Sequence, residues 1–238
     1  MILTRNPGRV AGIWYLLLIL IGPLRLIYIP NKVFVHGDAA ATVNNIAAHE
    51  SLFRWGMVSE MAGAIMLVLL TLAFYRLFSG VDRKLAVQVV IFGGVMPALI
   101  YFVNTATDAT ALMVVRGAEF LSVFDKPQRD ALVMLLLRLR DHQVTASLVL
   151  AGVWLFPLGS LAYKSRFVPR FLGVWLLIGG FAWLVLGCTG FLAPQYQERE
   201  FALFQPVFFG EIAFMLWLVI KGARPPEFDH AHSKSAVG

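Results

Sequence analysis

The sequence has 238 residues, of which 59% are hydrophobic and only 14% are charged, and its mean hydropathy is +0.74. A water-soluble core in a chain of this length cannot enclose so much apolar surface, whereas lipid covers apolar helix faces directly. The formal net charge of +6 comes from basic residues scattered through short loops, without the basic stripe of a nucleic-acid-binding protein. The composition is therefore typical of a membrane protein and argues against nucleic acid as a partner.

The first apolar segment, IWYLLLILIGPLRLIYI, follows the basic residues Arg5 and Arg9. This arrangement is shared with signal peptides, but no small-residue cleavage pattern follows the segment, so we predict an uncleaved first span. A helix that crosses the hydrocarbon core needs about 20 apolar residues. Six segments meet this requirement, at roughly 10–29, 55–75, 85–107, 143–163, 171–193 and 203–220.

These segments predict an all-α, polytopic membrane helix bundle that forms one domain over residues 1–222. The polar stretch 223–238 is predicted to be a disordered tail. Lysine and arginine predominate in the N-terminal tail, in the loops after the second and fourth spans, and in the C-terminal tail. All of these segments fall on one side of the bilayer, so the positive-inside rule places both termini in the cytoplasm.

The segments on the opposite side are longer. In 31–54, NKVFVHGDAAATVNNIAAHESLFR, a turn signal at Gly37 and Asp38 precedes an alanine-rich helical pattern, in which Glu50 and Arg54 are spaced to form a surface pair. The later sequence FDKPQRDA predicts a helix start near Pro127, with a helix that runs into the fourth span. We therefore expect a helical cap on the outer surface that includes Asp38, Glu50 and Arg54.

Glycine pairs at seven-residue spacing recur in three of the spans. Small residues at such spacing allow two helices to approach closely in lipid, so we predict packing seams and assign them no chemistry. The pairs are Gly56 with Gly63, Gly152 with Gly159, and Gly180 with Gly187.

Polar residues also occur within the spans. Arg25 and Glu60 each lie sixteen residues from a basic residue at the cytoplasmic end of their span, which places both about 24 Å above that boundary. The same count places Asn104 at about 30 Å and Glu211 at about 15 Å. These residues predict a polar layer between the midplane and the outer surface.

Charged groups at such depths face the bundle interior, pair with each other or line a wet cavity. Arg25 and Glu60 are therefore expected to form a buried ion pair. Glu211 has no cation at its own depth. Its carboxyl group is either protonated because of burial and donates a hydrogen bond to a neighbouring helix, or forms the floor of an outward-open ligand cavity, and the sequence leaves both interpretations open.

Charged residues are also crowded at the outer mouth of the fourth span, where Arg138 and Arg140 precede Asp141 and His142. A solvated helix face and a site for a polar ligand or headgroup are both compatible with this pattern. The spans contain no HExxH or HxxEH motif and no close histidine pair, and the single cysteine excludes a CxxC pair. We therefore predict no metal site and no cofactor.

Three stretches resemble the bacterial domain-of-unknown-function 4386 family: GDAAATVNNIAAHESLFRWG from Gly37, GSLAYKSRFVPRFLGVWLLIGGFAWLV from Gly159, and GEIAFMLWLVIKG from Gly210. The resemblance implies a multi-pass protein of the bacterial inner membrane with no established activity. His142 and Gln143 depart from the family pattern. The residues that match it are Asp38, Asn45, Glu50, Arg54, Asp141 and Glu211.

The leading functional hypothesis is binding or transport of a lipid or small amphiphilic ligand in an outward-facing polar cavity. The candidate ligand-binding residues are Arg25, Glu60, Asn104, Asp141 and Glu211. A membrane enzyme acting on a lipid, with Glu60 or Glu211 as general acid or base, is the alternative. A third hypothesis is a non-catalytic scaffold or partner subunit, and the sequence also leaves a homo-oligomer open.

Overall fold

A computed structural model gives the structure of the chain and describes residues 6–23, 27–35 and 37–224. The regular elements among these residues are helices. Arg25 and the predicted tail from residue 225 onward lie outside the described residues. The α-helices are α1 (Pro7–Pro23), α2 (Ile29–Val33), α3 (Ala39–Ala48), α4 (Glu50–Phe78), α5 (Arg83–Val90), α6 (Met96–Val115), α7 (Lys126–Val153), α8 (Leu155–Ser165), α9 (Arg170–Leu192) and α10 (Gln197–Ile220).

In the described part of the chain, five helical stretches are long and apolar enough to cross a membrane, and each contains or largely overlaps one of the predicted spans two to six. A π-helical turn, Ile91–Val95, joins α5 to α6 within the second of these stretches. The first predicted span, 10–29, corresponds to the shorter apolar helix α1, which has 17 residues. The five long stretches are Glu50–Phe78, Arg83–Val115, Lys126–Ser165, Arg170–Leu192 and Pro194–Ile220.

The helix predicted to run from near Pro127 through the fourth span is present as a 40-residue stretch, Lys126–Ser165. Its only interruption is one residue at Trp154, three residues before Pro157, which has no N–H to donate to the preceding turn. The Leu158 N–H still donates to the Trp154 carbonyl at 3.2 Å, so the path continues. A helix of this length extends about 60 Å, twice the thickness of a ~30 Å hydrocarbon core.

The chain divides into two compact units, each built from segments that are distant in sequence. The first unit comprises Met1–Leu17, Met66–Pro97 and Ala146–Gly238, and the second comprises Leu18–Ile65 and Ala98–Thr145. The boundary at residue 222 of a single membrane domain stays a prediction.

Aromatic side chains form the centre of the first unit. The ring centroid of Phe74 lies 6.1 Å from that of Tyr15, 6.3 Å from that of Trp154 and 5.9 Å from that of Phe214. These residues are buried and come from different helical stretches. Pairs at this separation add to the stability that burial of the rings already provides.

Asp82 joins the N-terminal end of α5 to the C-terminal end of α8 in the first unit. The side chain of Asp82 accepts hydrogen bonds from the backbone N–H groups of Lys84 and Leu85 and caps α5, and Lys164 Nζ donates to its other oxygen at 3.1 Å. The hydrogen bond from the Leu85 N–H has the largest effect on the Asp82 carboxyl group, and that from Lys164 the next largest. Both hold the pKa of Asp82 below its usual range. The loop between α4 and α5 therefore contacts the C-terminal end of α8.

Glycines allow close contact between α9 and the stretch formed by α7 and α8. A Cβ atom on Gly152 would lie 2.7 Å from the carbonyl oxygen of Gly180, and a Cβ on Gly159 would lie 2.8 Å from that of Gly173. Backbone atoms occupy the positions that larger side chains would need. The packing seams predicted from the spacing of Gly152 with Gly159 and of Gly180 with Gly187 are thus present.

Replacing Gly152 with alanine is expected to lower the free energy of unfolding by about 1–3 kcal/mol, because the methyl group forces two helix backbones apart. Gly179→Ala is the matched control, since its Cβ would meet only Leu155 Cδ1 at an ordinary 3.5 Å. Thermal unfolding of the purified variants in detergent measures the difference. Equal melting temperatures for the two variants would show that the seam is not closely packed.

The second unit has an apolar core of its own, to which α3, α4, α6 and α7 contribute. Its fully buried members include Ile46 and Val133, with Phe53, Leu112 and Leu137 beside them. This core fixes the faces of α4, α6 and α7 that carry the polar residues described below.

The predicted surface-cap residues have local structural roles in the second unit. Asp38 caps α3, because its Oδ1 accepts a hydrogen bond from the Ala41 N–H at 2.8 Å. Glu50 and Arg54 form the predicted pair at 2.7 Å, and Arg116 Nε lies 3.4 Å from the other Glu50 oxygen. The position of these residues on an outer surface stays a prediction.

Candidate functional site

Four polar residues of the second unit lie in its interior. Glu60 is on α4, Asn104 and Asp108 are on α6, and Arg140 is on α7; they are 1%, 2%, 6% and 9% exposed, respectively. Asn104 and Asp108 are four residues apart, so they lie on the same face of α6, one turn from each other. Three helices therefore bring their polar groups to one place.

Direct contacts join these four residues, which we name the buried ion network. Arg140 donates from Nε to Asp108 Oδ2 at 2.9 Å and from Nη2 to Glu60 Oε2 at 3.2 Å. Asn104 Nδ2 donates to Glu60 Oε1 at 3.1 Å. One guanidinium thus bridges two carboxylates, and an amide supports one of them. Removal of one partner from such a buried network is strongly destabilising.

Two oxygen atoms of the network accept no hydrogen bond in the described part of the chain. They are Asn104 Oδ1 and Asp108 Oδ1, and both are buried. Buried acceptors of this kind are rare in folded proteins, because each one has lost its water without gaining a donor. The contacts within the network therefore leave these two acceptor atoms without a hydrogen-bond donor.

A small cavity of about 20 Å³ adjoins the network at Asp108 and Arg140. A group about the size of one water molecule fits a space of this volume. The remaining walls of the cavity are apolar and consist of Ile29, Pro30, Phe34, Phe53 and Gly56.

A larger pocket of about 420 Å³ lies in the same unit, and we name it the second-unit pocket. It shares the lining residues Pro30 and Phe34 with the small cavity. Its volume falls within the range of about 300–1,000 Å³ that is usual for small-molecule sites. The lining combines apolar with charged side chains and consists of Pro30, Asn31, Phe34, Val35, Met134, Leu137, Arg138 and Asp141.

The candidate residues chosen from the sequence have different positions. Glu60 and Asn104 are in direct contact, as members of the buried ion network. Asp141 lines the second-unit pocket. Arg25, the expected partner of Glu60, lies outside the described residues, so that pair stays a prediction. Glu211 belongs to the first unit.

Glu211 accepts hydrogen bonds from two other helices of the first unit. Tyr15 on α1 donates to Glu211 Oε2 at 2.5 Å, and Trp183 Nε1 on α9 donates to Oε1 at 2.8 Å. The Trp183 ring stacks on Phe208, with ring centroids 4.0 Å apart. The carboxyl group therefore joins α1, α9 and α10. Of the two interpretations from the sequence, this geometry favours the hydrogen bond between helices, but Glu211 accepts from its neighbours, whereas the interpretation had it donating.

The sequence interpretation of Arg140 was wrong. It places Arg140 with Arg138 and Asp141 among the charges at the mouth of the fourth span, but Arg140 is buried. The side chains of Arg138 and Asp141 are 61% and 50% exposed, as that interpretation expects for them. The reason is helical periodicity, because successive residues of α7 are turned by about 100° from one another.

The sequence pattern does indicate burial of Asp108 and Arg140, the two network residues that were not predicted to be buried. Asp108 follows Asn104 by four residues, the spacing of one helix face. Arg140 follows the core residues Val133 and Leu137 by seven and three residues, so it continues their buried stripe. Continuing the helical spacing of Val133 and Leu137 along α7 places Arg140 on the buried face.

Within residues 6–23, 27–35 and 37–224, no group of three or more His, Cys, Asp or Glu side chains is arranged to hold a metal ion. The chemistry of the site consists of carboxylate, guanidinium and amide groups next to apolar walls.

The described residues form five apolar helical stretches of spanning length, with an ion network buried between three helices, and this is the architecture of a multi-pass membrane protein. The chain belongs to the DUF4386 family, described as a domain of unknown function, whose sequence model matches residues 10–222. The family resemblance seen in the sequence is thereby confirmed.

One related protein comes from Archaeoglobus fulgidus and is described as an uncharacterized protein. It is 34% identical over 76 residues, which cover 32% of this chain and 44% of the relative. The chain therefore spans less than half of that relative's length. No solved structure matches the chain.

Proposed function

We propose that this protein binds a lipid or another small amphiphilic ligand in the second-unit pocket. The observation that carries the proposal is the pocket itself, whose volume of about 420 Å³ combines apolar and charged walls. Phe34, Met134 and Leu137 offer hydrocarbon contacts for an alkyl chain. Arg138 and Asp141 offer charges of opposite sign for a polar headgroup. Sites with a mostly apolar lining and a few polar groups are typical of such ligands.

The buried ion network supports this proposal because it lies beside the pocket within the same unit. Glu60 and Asn104 form part of a fixed polar group behind the walls that Pro30 and Phe34 share with the small cavity. Glu211 is assigned to helix packing in the first unit, since Tyr15 and Trp183 both donate to it. The proposed ligand contacts thus lie in the second unit alone.

Filling the pocket with a larger side chain is expected to reduce ligand binding. In Met134→Trp the indole would occupy space between Phe34 and Leu137, and we expect bound dodecanol to fall by about ten-fold, or 1.4 kcal/mol. Mass spectrometry of the intact protein, purified in a maltoside detergent and titrated with dodecanol, measures the bound fraction.

Leu135→Trp is the matched control, because Leu135 is the next residue of α7, is 65% exposed and does not line the pocket. It should bind dodecanol like the unmodified chain. If the two tryptophan variants bind equal amounts, the ligand is not in this pocket and the proposed function fails.

We also propose that the protein resides in the bacterial inner membrane with both termini in the cytoplasm, and that the second-unit pocket faces outward. The distribution of lysine and arginine supports this orientation. Contacts in the first unit join the four basic segments in two pairs, which supports the proposal. Asn6 Oδ1 accepts a hydrogen bond from the Ala223 N–H at 3.0 Å, and Lys164 contacts Asp82 at 3.1 Å.

Reporter fusions after Gly222 test this orientation. A green fluorescent protein fused there should fluoresce, because it folds in the cytoplasm, and alkaline phosphatase fused there should be inactive. Fusions after Gly117, in the opposite set of loops, should give the reverse result. An active phosphatase after Gly222 would contradict the orientation.

A further inference from the structure

A wide, open pocket of about 630 Å³ lies in the first unit, and we name it the loop pocket. It is formed by the connection between α8 and α9, together with one residue of α10. Two arginine side chains line it beside an indole ring and smaller apolar groups. The lining residues are Arg166, Phe167, Val168, Pro169, Arg170 and Trp217.

Packing holds the connection between α8 and α9 in place. Val168 is 2% exposed, and the Phe167 ring stacks on that of Phe78, with centroids 5.6 Å apart. Arg166 has a φ of +62°, a left-handed conformation that costs a non-glycine residue free energy and persists only where the surrounding structure fixes it. The backbone that carries both arginines of the pocket is therefore in position before a ligand binds.

Neither arginine of the loop pocket pairs with a carboxylate in the described part of the chain. Arg170 instead lies over the ring of Tyr163, with its guanidinium carbon 5.4 Å from the ring centroid. An aromatic ring covers the face of a guanidinium and leaves the N–H donors at its edge available. By contrast, the nearby Lys164 is paired with Asp82 at 3.1 Å. The pocket thus presents two positive charges whose donors are available to an anion.

The loop pocket lies where three apolar helical stretches end. Lys126–Ser165 ends one residue before it, Arg170–Leu192 begins in it, and Trp217 is three residues from the end of Pro194–Ile220. The ends of membrane-spanning helices lie at the level of the lipid headgroups, where tryptophan is enriched. The pocket is therefore placed where lipid phosphate groups are abundant.

We propose that the loop pocket binds a phosphate group, and that an anionic phospholipid is its source. Arginine suits this ligand because its planar fork donates parallel hydrogen bonds to phosphate oxygens. Basic pockets between helices at a membrane surface bind anionic headgroups in this way. The apolar groups of Phe167, Pro169 and Trp217 favour a lipid over free phosphate, since they offer contacts for the carbon atoms next to the headgroup.

The inference goes beyond the proposed function, because the loop pocket belongs to the first unit and the proposed amphiphile contacts belong to the second. Neither site depends on the other. Dodecanol binding in the second-unit pocket and phospholipid binding in the loop pocket are measured separately, so failure of one leaves the other standing.

Two lipids with the same acyl chains test the preference for an anion. Dioleoylphosphatidylglycerol carries a net negative charge, whereas the choline of dioleoylphosphatidylcholine neutralises the same phosphate. Each is titrated into the full chain in maltoside detergent, and mass spectrometry of the intact protein measures the bound fraction. We expect phosphatidylglycerol to bind about ten-fold more tightly. Equal affinity for the two lipids would overturn the inference.

Arg166→Gln combined with Arg170→Gln tests the residues assigned to the phosphate. This variant should lose the about ten-fold preference for phosphatidylglycerol and keep its affinity for phosphatidylcholine. Arg76→Gln combined with Arg83→Gln is the matched control, because it removes the same charge from two exposed arginines of the same unit that do not line the pocket. An equal loss in both variants would reveal general charge attraction and overturn the assignment.

A single change keeps the test decisive if the double variant does not fold. Arg166→Gln retains the contact between Arg170 and Tyr163, and it should weaken phosphatidylglycerol binding in the same direction by a smaller factor. Unchanged binding in this variant would overturn the assignment of Arg166.

Glycerol 3-phosphate distinguishes a lipid from a free phosphate compound, since it carries the phosphate without acyl chains. We expect an excess of it to leave bound phosphatidylglycerol unchanged. Displacement of the lipid by glycerol 3-phosphate at a concentration close to that of the lipid would overturn the lipid as the source of the phosphate.

Discussion

Replacing Arg140 with methionine is expected to lower the free energy of unfolding by about 3–5 kcal/mol, because it removes one partner of a buried ion network. Methionine fills much of the same volume but removes the guanidinium that bridges Glu60 Oε2 and Asp108 Oδ2 at 3.2 and 2.9 Å. Two carboxylates in the interior of a membrane protein then lose a common cation. Thermal unfolding in detergent, followed by circular dichroism, measures the loss.

Arg138→Met is the matched control for this prediction. Arg138 is two residues away on α7 and its side chain is 61% exposed, so its replacement should change stability by no more than about 0.5 kcal/mol. Combining Arg140→Met with Glu60→Gln and Asp108→Asn should recover much of the loss, because no carboxylate then needs the cation. Similar melting temperatures for Arg140→Met and Arg138→Met would show that the network contributes little.

Replacing Glu211 with leucine is expected to lower the free energy of unfolding by about 2–4 kcal/mol, because the Tyr15 hydroxyl and the Trp183 N–H both lose their acceptor. Tyr15 is only 6% exposed, so water does not readily replace the carboxylate there. Adding Tyr15→Phe to Glu211→Leu should recover part of the loss. Such non-additivity is the expected sign of a direct interaction. Chemical or thermal unfolding of the two single variants and the double variant measures it.

Glu198→Leu is the control, since Glu198 is exposed in the first turn of the same helix. It should leave the melting temperature nearly unchanged. If Glu211→Leu keeps full stability but loses amphiphile binding, Glu211 is part of a ligand site rather than a helix contact. That result would restore the second of the two interpretations drawn from the sequence.

The spans could be predicted from the sequence because the length of an apolar run is a local property. Five predicted spans correspond to long apolar helical stretches. The first was predicted to extend to residue 29; α1 is described from Pro7 to Pro23, and residues 24–26 lie outside the described part of the chain.

The site was predictable only in part. Counting helical rise placed Glu60 and Asn104 in one polar layer, at about 24 and about 30 Å, and they are in contact at 3.1 Å. The same method gives no information on rotation about the helix axis, so it did not distinguish buried Arg140 from exposed Arg138. The second-unit pocket depends on how the segment around Phe34 lies against Met134 and Leu137. Contacts between residues this far apart in sequence have no local signal.

Photolabelling with a long-chain alcohol that carries a diazirine in its tail tests the proposed pocket most directly. The labelled protein is digested and its peptides are mapped by mass spectrometry. We expect labelling to concentrate around Phe34 and Met134, to be displaced by excess dodecanol, and to fall in Met134→Trp but not in Leu135→Trp. Labelling spread evenly over exposed apolar residues such as Leu192, with no displacement by dodecanol, would contradict the pocket as a ligand site.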